Sequence, residues 1–120
     1  MKNRQGWKLA EIRAHVVENY YPIDFTLDMI RPTYRMDESC QGSVPQALEA
    51  VFESTSFEDA VRNAVSIGGD SDTIAAIAGS VAEAYWGVPR LFADKAFSYI
   101  EPGMVHVVQK FWLRNQGNVI

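Results

Sequence analysis

Residues Gly68–Ala82 read GGDSDTIAAIAGSVA, two glycines and a polar turn that lead directly into an apolar helix. Apolar side chains recur at helical spacing from about Ser71 to Trp86, and Gly87 follows as a stop signal. Alanines and Gly79 keep the other faces of this helix thin, which allows neighbouring helices to approach closely. We therefore predict a central helix with close neighbours and a fold built around it.

Helical periodicity continues along the rest of the chain, and no segment alternates like a strand or carries a hairpin turn. Ser43 is expected to cap a helix, with Pro45 in its first turn. That helix is predicted to run to about Glu53. The other predicted elements are a helix at Trp7–Tyr20, a short helix or turn at Phe25–Ile30, a helix that begins at Ser56 and is ended by Gly68 and Gly69, and helices at Leu91–Tyr99 and Met104–Arg114. The pattern predicts one all-α domain over residues 1–120, an orthogonal array of about six helices.

Composition and charge exclude several classes of protein. The net charge of −4 argues against binding to nucleic-acid phosphates, which requires a basic surface. No apolar run approaches the ~18 residues of a membrane-spanning helix, and the N-terminus lacks the apolar block of a signal peptide. The single cysteine, Cys40, cannot form an internal disulfide. We expect a cytoplasmic protein without a nucleic-acid or membrane partner.

Asp70, Asp72 and Thr73 place two carboxylates and a hydroxyl at the start of the central helix. Mg²⁺ and Mn²⁺ prefer such hard oxygen ligands, and the two preceding glycines allow the backbone to turn so that the ligands converge. The same residue types are also ordinary helix caps, because they satisfy free backbone N–H groups and complement the positive end of the helix dipole. A metal half-site and a simple cap both fit these residues.

Other reactive side chains give weaker signals. Cys40 and either histidine could form a thiol nucleophile with a base, but a cysteine packed as a small apolar side chain explains Cys40 more simply. No pair of cysteines or histidines has the spacing of a zinc site. Asp24, Asp37 and Glu38 could line a cleft or simply face solvent.

The run Gly68–Gly79 resembles the C-terminal metal motif of the ADP-ribosylglycohydrolase family. The resemblance extends to Ser39–Leu48 and Ser56–Val65, and covers about positions 20 to 89. Family members are longer chains that supply further metal ligands from an N-terminal Gly-Asp-Ala-x-Gly-type segment and a Thr-Asp-Asp-type segment. Neither segment occurs in this sequence. The resemblance therefore implies the C-terminal part of that all-α fold standing alone, a truncated member of the family.

The resemblance also implies an activity and a ligand set. Family members are hydrolases that cleave the N- or O-glycosidic bond between ADP-ribose and its acceptor, in an ADP-ribosylated protein or a small ADP-ribose conjugate. By this resemblance Asp70, Asp72 and Thr73 are the C-terminal ligands of a two-metal Mg²⁺ or Mn²⁺ site, and Asp72 bridges the two ions. The substrate-side candidates are Ser43, Gly69 and Tyr34, with Tyr34 the preferred ring for stacking on adenine.

The missing N-terminal ligands leave three hypotheses open. The chain is a family enzyme completed by a second chain or by a missing N-terminal half, an inactive binding or assembly module with a residual metal half-site, or an enzyme whose site is rebuilt from two copies. We expect a homo-oligomer or a complementary chain, although a compact monomer is the alternative. The residues expected to be left uncovered are Trp7, Ile12, Val16, Phe111 and Trp112.

Overall fold

A computed structural model of the protein describes residues 6–116, which form seven helices and no strand. The all-α prediction is therefore confirmed for the described residues. Among them, no helix is long and apolar enough to cross a membrane. The helices are α1 (Leu9–Asn19), α2 (Leu27–Ile30), α3 (Cys40–Phe52), α4 (Phe57–Ser66), α5 (Ser71–Trp86), α6 (Arg90–Phe97) and α7 (Pro102–Gln116).

The chain divides into two compact units, the first ending at Gly87 and the second beginning at Val88. The first unit contains α1 to α5, and the second contains α6 and α7. That residues 1–120 form a single domain stays a prediction.

The core of the first unit lies where α3, α4 and α5 pack against one another. Three larger side chains, Leu27, Val51 and Ile74, are fully buried in it. The rest of the contact is made largely by alanine, whose small side chain allows helix axes to come close. The fully buried alanines are Ala47, Ala50, Ala60, Ala64, Ala78 and Ala82. The central position of α5 follows from this alanine-rich packing.

Helix α3 begins earlier than predicted, and the prediction that Ser43 caps it is wrong. Ser39 is the N-cap residue, and its hydroxyl accepts a hydrogen bond from the N–H of Gly42 at 3.0 Å. Ser43 lies inside the helix, and its hydroxyl donates to the carbonyl of Asp37 at 2.9 Å. Because Ser39 already satisfies the free N–H of the first turn, Ser43 is left to hold the preceding loop against the helix.

Neighbouring positions of α5 should respond in opposite ways to enlargement. Ala78 is fully buried, so Ala78→Leu overpacks the helix contact and should destabilise the protein by roughly 1–3 kcal/mol. A methyl group on Gly79 would meet only Val61 Cγ2, at 3.9 Å, so Gly79→Ala should stabilise it by about 0.5–1 kcal/mol through helix propensity. Urea unfolding of both variants checks this, and a shift in the same direction for both contradicts it.

Candidate functional site

The polar turn before α5 is shaped by two glycines with left-handed backbone angles. Gly68 has φ +85° and Gly69 has φ +63°, conformations that residues with a Cβ rarely adopt. The turn delivers Asp70 to the N-cap position of α5, one residue before the helix begins. Asp72 and Thr73 follow in the first turn of the helix. The three predicted oxygen ligands therefore lie together at one helix end.

The carboxyl group of Asp70 faces that of Asp72. A hydrogen bond between the two raises the pKa of Asp70 and lowers the pKa of Asp72. Contacts from Thr73 partly offset the rise in the pKa of Asp70. Within residues 6–116, neither carboxylate forms an ion pair with lysine or arginine. Two facing carboxylates without a basic partner are an arrangement that a cation would stabilise.

The pair is not engaged in ordinary helix capping. Ser39, Ser56 and Thr26 each accept a capping hydrogen bond from a backbone N–H of the helix that follows. Asp70 occupies the equivalent position of α5 but makes no such bond. The N–H of Thr73, the usual donor to this position, donates to Asp72 Oδ1 at 3.0 Å, and its interaction with Asp70 is the smallest of the effects on the pKa of Asp70. Helix capping therefore accounts for Ser39, Ser56 and Thr26 better than it accounts for Asp70.

Tyr34 lies beside the glycine turn. Its ring packs on Gly69, where an added Cβ would come within 2.5 Å of Tyr34 Cε1, and its hydroxyl donates to the carbonyl of Gly42. Burial raises the pKa of Tyr34, and the negative charges of Asp37 and Asp70 raise it further. The structure thus brings a predicted substrate-side residue into contact with the turn that carries the predicted ligands.

Ser43 and Asp37 lie next to Tyr34, on the side of α3. Ser43 is buried, and beyond its bond to Asp37 it lowers the pKa of Tyr34 through a hydrogen bond. The carboxylate of Asp37 accepts from both the N–H and the hydroxyl of Ser39, at 2.8 and 2.6 Å, which lowers the pKa of Asp37. Asp37 is therefore held by its own loop.

Cys40 is exposed, so the prediction that it packs as a small apolar side chain is wrong.

The residues present fit part of a divalent-metal site. Asp70, Asp72 and the hydroxyl of Thr73 supply hard oxygen atoms at one helix start. Within residues 6–116, however, no group of three or more aspartate, glutamate, histidine or cysteine side chains surrounds a single point. A stably bound ion would need further ligands from water or from another chain.

A second carboxylate cluster was not identified from the sequence. Glu49 is nearly fully buried on α3 and pairs with Arg13 of α1, Nε to Oε2, at 3.0 Å. Glu53, the C-cap residue that follows α3, accepts from the N–H of Leu27 at 2.9 Å. Burial raises the pKa of Glu49, Arg13 lowers it, and Glu53 raises it. The available signal was a glutamate among apolar residues on the buried face of a helix.

Comparison with known proteins gives one match. The family model described as ADP-ribosylglycohydrolase matches residues 4–96, more than three quarters of the chain. The matched range contains the glycine turn, the paired carboxylates and the Tyr34 loop. No curated protein and no solved structure matches the chain.

Proposed function

The chain belongs to the ADP-ribosylglycohydrolase family, and from this we propose that it contributes the carboxylate half of a Mg²⁺- or Mn²⁺-dependent site that hydrolyses the glycosidic bond of ADP-ribosylated substrates. The observation that carries the proposal is the uncapped, facing pair of Asp70 and Asp72 behind a glycine turn. Family membership supplies the reaction class. The acceptor is a protein side chain or a small molecule joined to ADP-ribose through nitrogen or oxygen.

Each residue of the turn has a separate role in this proposal. Asp70 and Asp72 would hold the cation, with Asp72 as the bridging ligand, and Thr73 adds a hydroxyl oxygen. When bound, a pair of divalent ions would orient the ribose hydroxyls and activate a water molecule for attack at the anomeric carbon. Gly69 provides the left-handed backbone turn that precedes the carboxylates. Ser43 and Tyr34 line the same side and are the proposed substrate-side residues.

Three oxygen ligands from one segment hold a divalent ion weakly, because Mg²⁺ requires an octahedral shell and water would fill most of it. We therefore propose that full activity requires ligands from a second polypeptide, either a complementary chain or another copy of this one. The alternative is a catalytically inactive binding or assembly module that keeps the half-site. It draws support from the absence of a third acidic, histidine or cysteine ligand near the pair within residues 6–116.

An activity assay separates these two functions. The purified chain is incubated with arginine-ADP-ribosylated protein and Mn²⁺ or Mg²⁺, and release of free ADP-ribose is measured with and without a chelator. Chelator-sensitive release that is lost in Asp72→Asn supports the hydrolase. Mn²⁺ binding without release at any protein concentration supports the binding module. Release that survives both the chelator and Asp72→Asn contradicts the proposed site.

We also propose that the chain self-associates through α7. This helix carries exposed apolar side chains, among them Phe111 at 69% and Trp112 at 58% of full exposure. It contains Lys110 and Arg114 but no acidic residue, whereas residues 6–87 carry more than twice as many acidic as basic side chains. Opposite charges and an apolar face suit association of α7 with the acidic unit of a second copy.

The prediction that Trp7, Ile12 and Val16 are left uncovered is wrong, because all three side chains are half-buried.

Light scattering over a dilution series tests the association. A dimer or larger assembly that Trp112→Lys converts to a species near 13.5 kDa supports it. Leu91→Lys serves as the control, because Leu91 is even more exposed than Trp112, at 75% against 58%, but lies on α6. A mass near 13.5 kDa for the parent at every concentration refutes the oligomer.

A further inference from the structure

Tyr34 connects two helix starts that are distant in sequence. Its backbone N–H donates to the carbonyl of Ile30 at 2.8 Å, which fixes the tyrosine at the end of α2. From there the hydroxyl reaches the carbonyl of Gly42 in the first turn of α3, and the ring covers Gly69 before α5. One side chain thus joins the start of α3 to the turn that carries Asp70.

The contact with Gly69 is close and depends on the absence of a side chain there. An added Cβ would lie 2.5 Å from Tyr34 Cε1 and 3.2 Å from the carbonyl oxygen of Arg35. At Gly68, the adjacent glycine with a similar left-handed backbone angle, an added Cβ would meet nothing within 4 Å. The two glycines therefore have the same conformational requirement, but only Gly69 is held by a neighbour.

The bonds that hold the Asp70 carboxylate are local to the start of α5. The carboxylate is hydrogen-bonded to Asp72 and Thr73, whereas the two consecutive glycines that precede it are conformationally permissive. A ligand that must hold a cation benefits from being ordered beforehand, because the cost of ordering is then not subtracted from the binding free energy. The ring of Tyr34 packs on the backbone immediately before this carboxylate and restricts it from outside the turn.

We propose that Tyr34 is a positioning residue: through its ring on Gly69 and its hydroxyl on Gly42 it orients the Asp70 carboxylate for a divalent cation, without itself contacting the ion. This inference rests on the proposed function, since it assigns a role toward the same half-site. It differs from a role in stacking on adenine, because the residue acts through the backbone of Gly69. Partners of metal ligands typically change affinity by about 10- to 100-fold when removed.

Calorimetric titration of the purified chain with Mn²⁺ tests the proposal, together with thermal unfolding of the metal-free chain. Tyr34→Ala removes both contacts and should weaken Mn²⁺ binding by about tenfold or more. Tyr34→Phe keeps the ring on Gly69 and should recover most of that affinity. Tyr20→Ala is the control, because Tyr20 is 71% exposed at the C-cap of α1, and it should leave the affinity unchanged.

A pair of glycine substitutions isolates the contact itself. Gly68→Ala and Gly69→Ala both strain a left-handed residue, but only the second collides with the ring, so Gly69→Ala should weaken Mn²⁺ binding more. In the Tyr34→Ala background this difference should shrink, because the ring is gone.

The outcomes separate this inference from the proposed function. No Mn²⁺ binding by the parent overturns the metal half-site and the role of Tyr34 with it. Mn²⁺ binding by the parent that Tyr34→Ala leaves intact overturns the positioning role alone. A lower melting temperature for Tyr34→Ala with unchanged Mn²⁺ affinity has the same meaning, since a purely structural tyrosine would behave in that way.

Discussion

Asp72→Ala is expected to abolish specific Mn²⁺ binding while leaving the helices in place. Asp72 faces Asp70, so the substitution leaves one carboxylate and one hydroxyl, too few hard ligands to hold a divalent ion. The affinity should fall by more than the roughly 10- to 100-fold that loss of a ligand's partner causes. Asp72 is exposed, and the loss of its local bond to Thr73 should change stability by no more than about 1 kcal/mol.

Glu83→Gln is the matched control, because Glu83 is an exposed acidic residue on the same helix and its substitution removes one negative charge. Calorimetry or the paramagnetic resonance of free Mn²⁺ measures both variants, and circular dichroism verifies their helix content. The control should bind as the parent does. If Asp70→Ala and Asp72→Ala both bind Mn²⁺ with the parent's affinity, the two carboxylates are not ligands and the half-site is refuted.

Helix α5 was predicted well because its signals are local. The prediction of Ser71–Trp86 matches the structure, since the glycine turn, the small apolar repeat and Gly87 all act within a few residues. The start of α3 was predicted incorrectly, with Ser43 in place of Ser39 as the cap. Both serines precede a helical pattern, and what distinguishes them is the bond from Ser43 to the carbonyl of Asp37, a contact with the preceding loop.

The candidate site was predictable only in part for the same reason. Asp70, Asp72 and Thr73 are adjacent in sequence, so their convergence needed no tertiary information. The contact of Tyr34 with Gly69 joins residues 35 positions apart, and no periodicity or motif encodes such a contact. The ion pair of Arg13 with Glu49 is equally remote in sequence, and identifying it required the packing of α1 against α3.

Arg13→Met should cause a large loss of stability. Arg13 pairs with Glu49, whose side chain is only 5% exposed, and its Nη2 also donates to the carbonyl of Ile23 at 3.2 Å. Removing the arginine leaves a buried carboxylate without a partner, which typically costs about 3–5 kcal/mol. Because the Arg13 side chain is itself 36% exposed, we expect about 2–4 kcal/mol at neutral pH, measured by urea unfolding.

The loss should depend on pH in a defined direction. Burial already raises the pKa of Glu49, with Glu53 raising it further, and Arg13 is the group that opposes them. Without Arg13 the folded-state pKa rises again, so the folded protein binds a proton more tightly than the unfolded chain does. Stability of this kind is present at low pH and is lost as the pH rises through the folded-state pKa. Arg13→Met should therefore cost less near pH 5 than near pH 7.5.

Two further variants determine whether the buried charge is the cause. Arg62→Met breaks the exposed pair with Glu58, and should change stability by less than about 1 kcal/mol at either pH. Adding Glu49→Met to Arg13→Met removes the unpaired carboxylate and should restore much of the lost stability, because an apolar pair of similar volume often replaces a buried ion pair without cost. A loss for Arg13→Met that is equal at both pH values and unrelieved by Glu49→Met would instead assign the effect to lost packing of the arginine stem between α1 and α3.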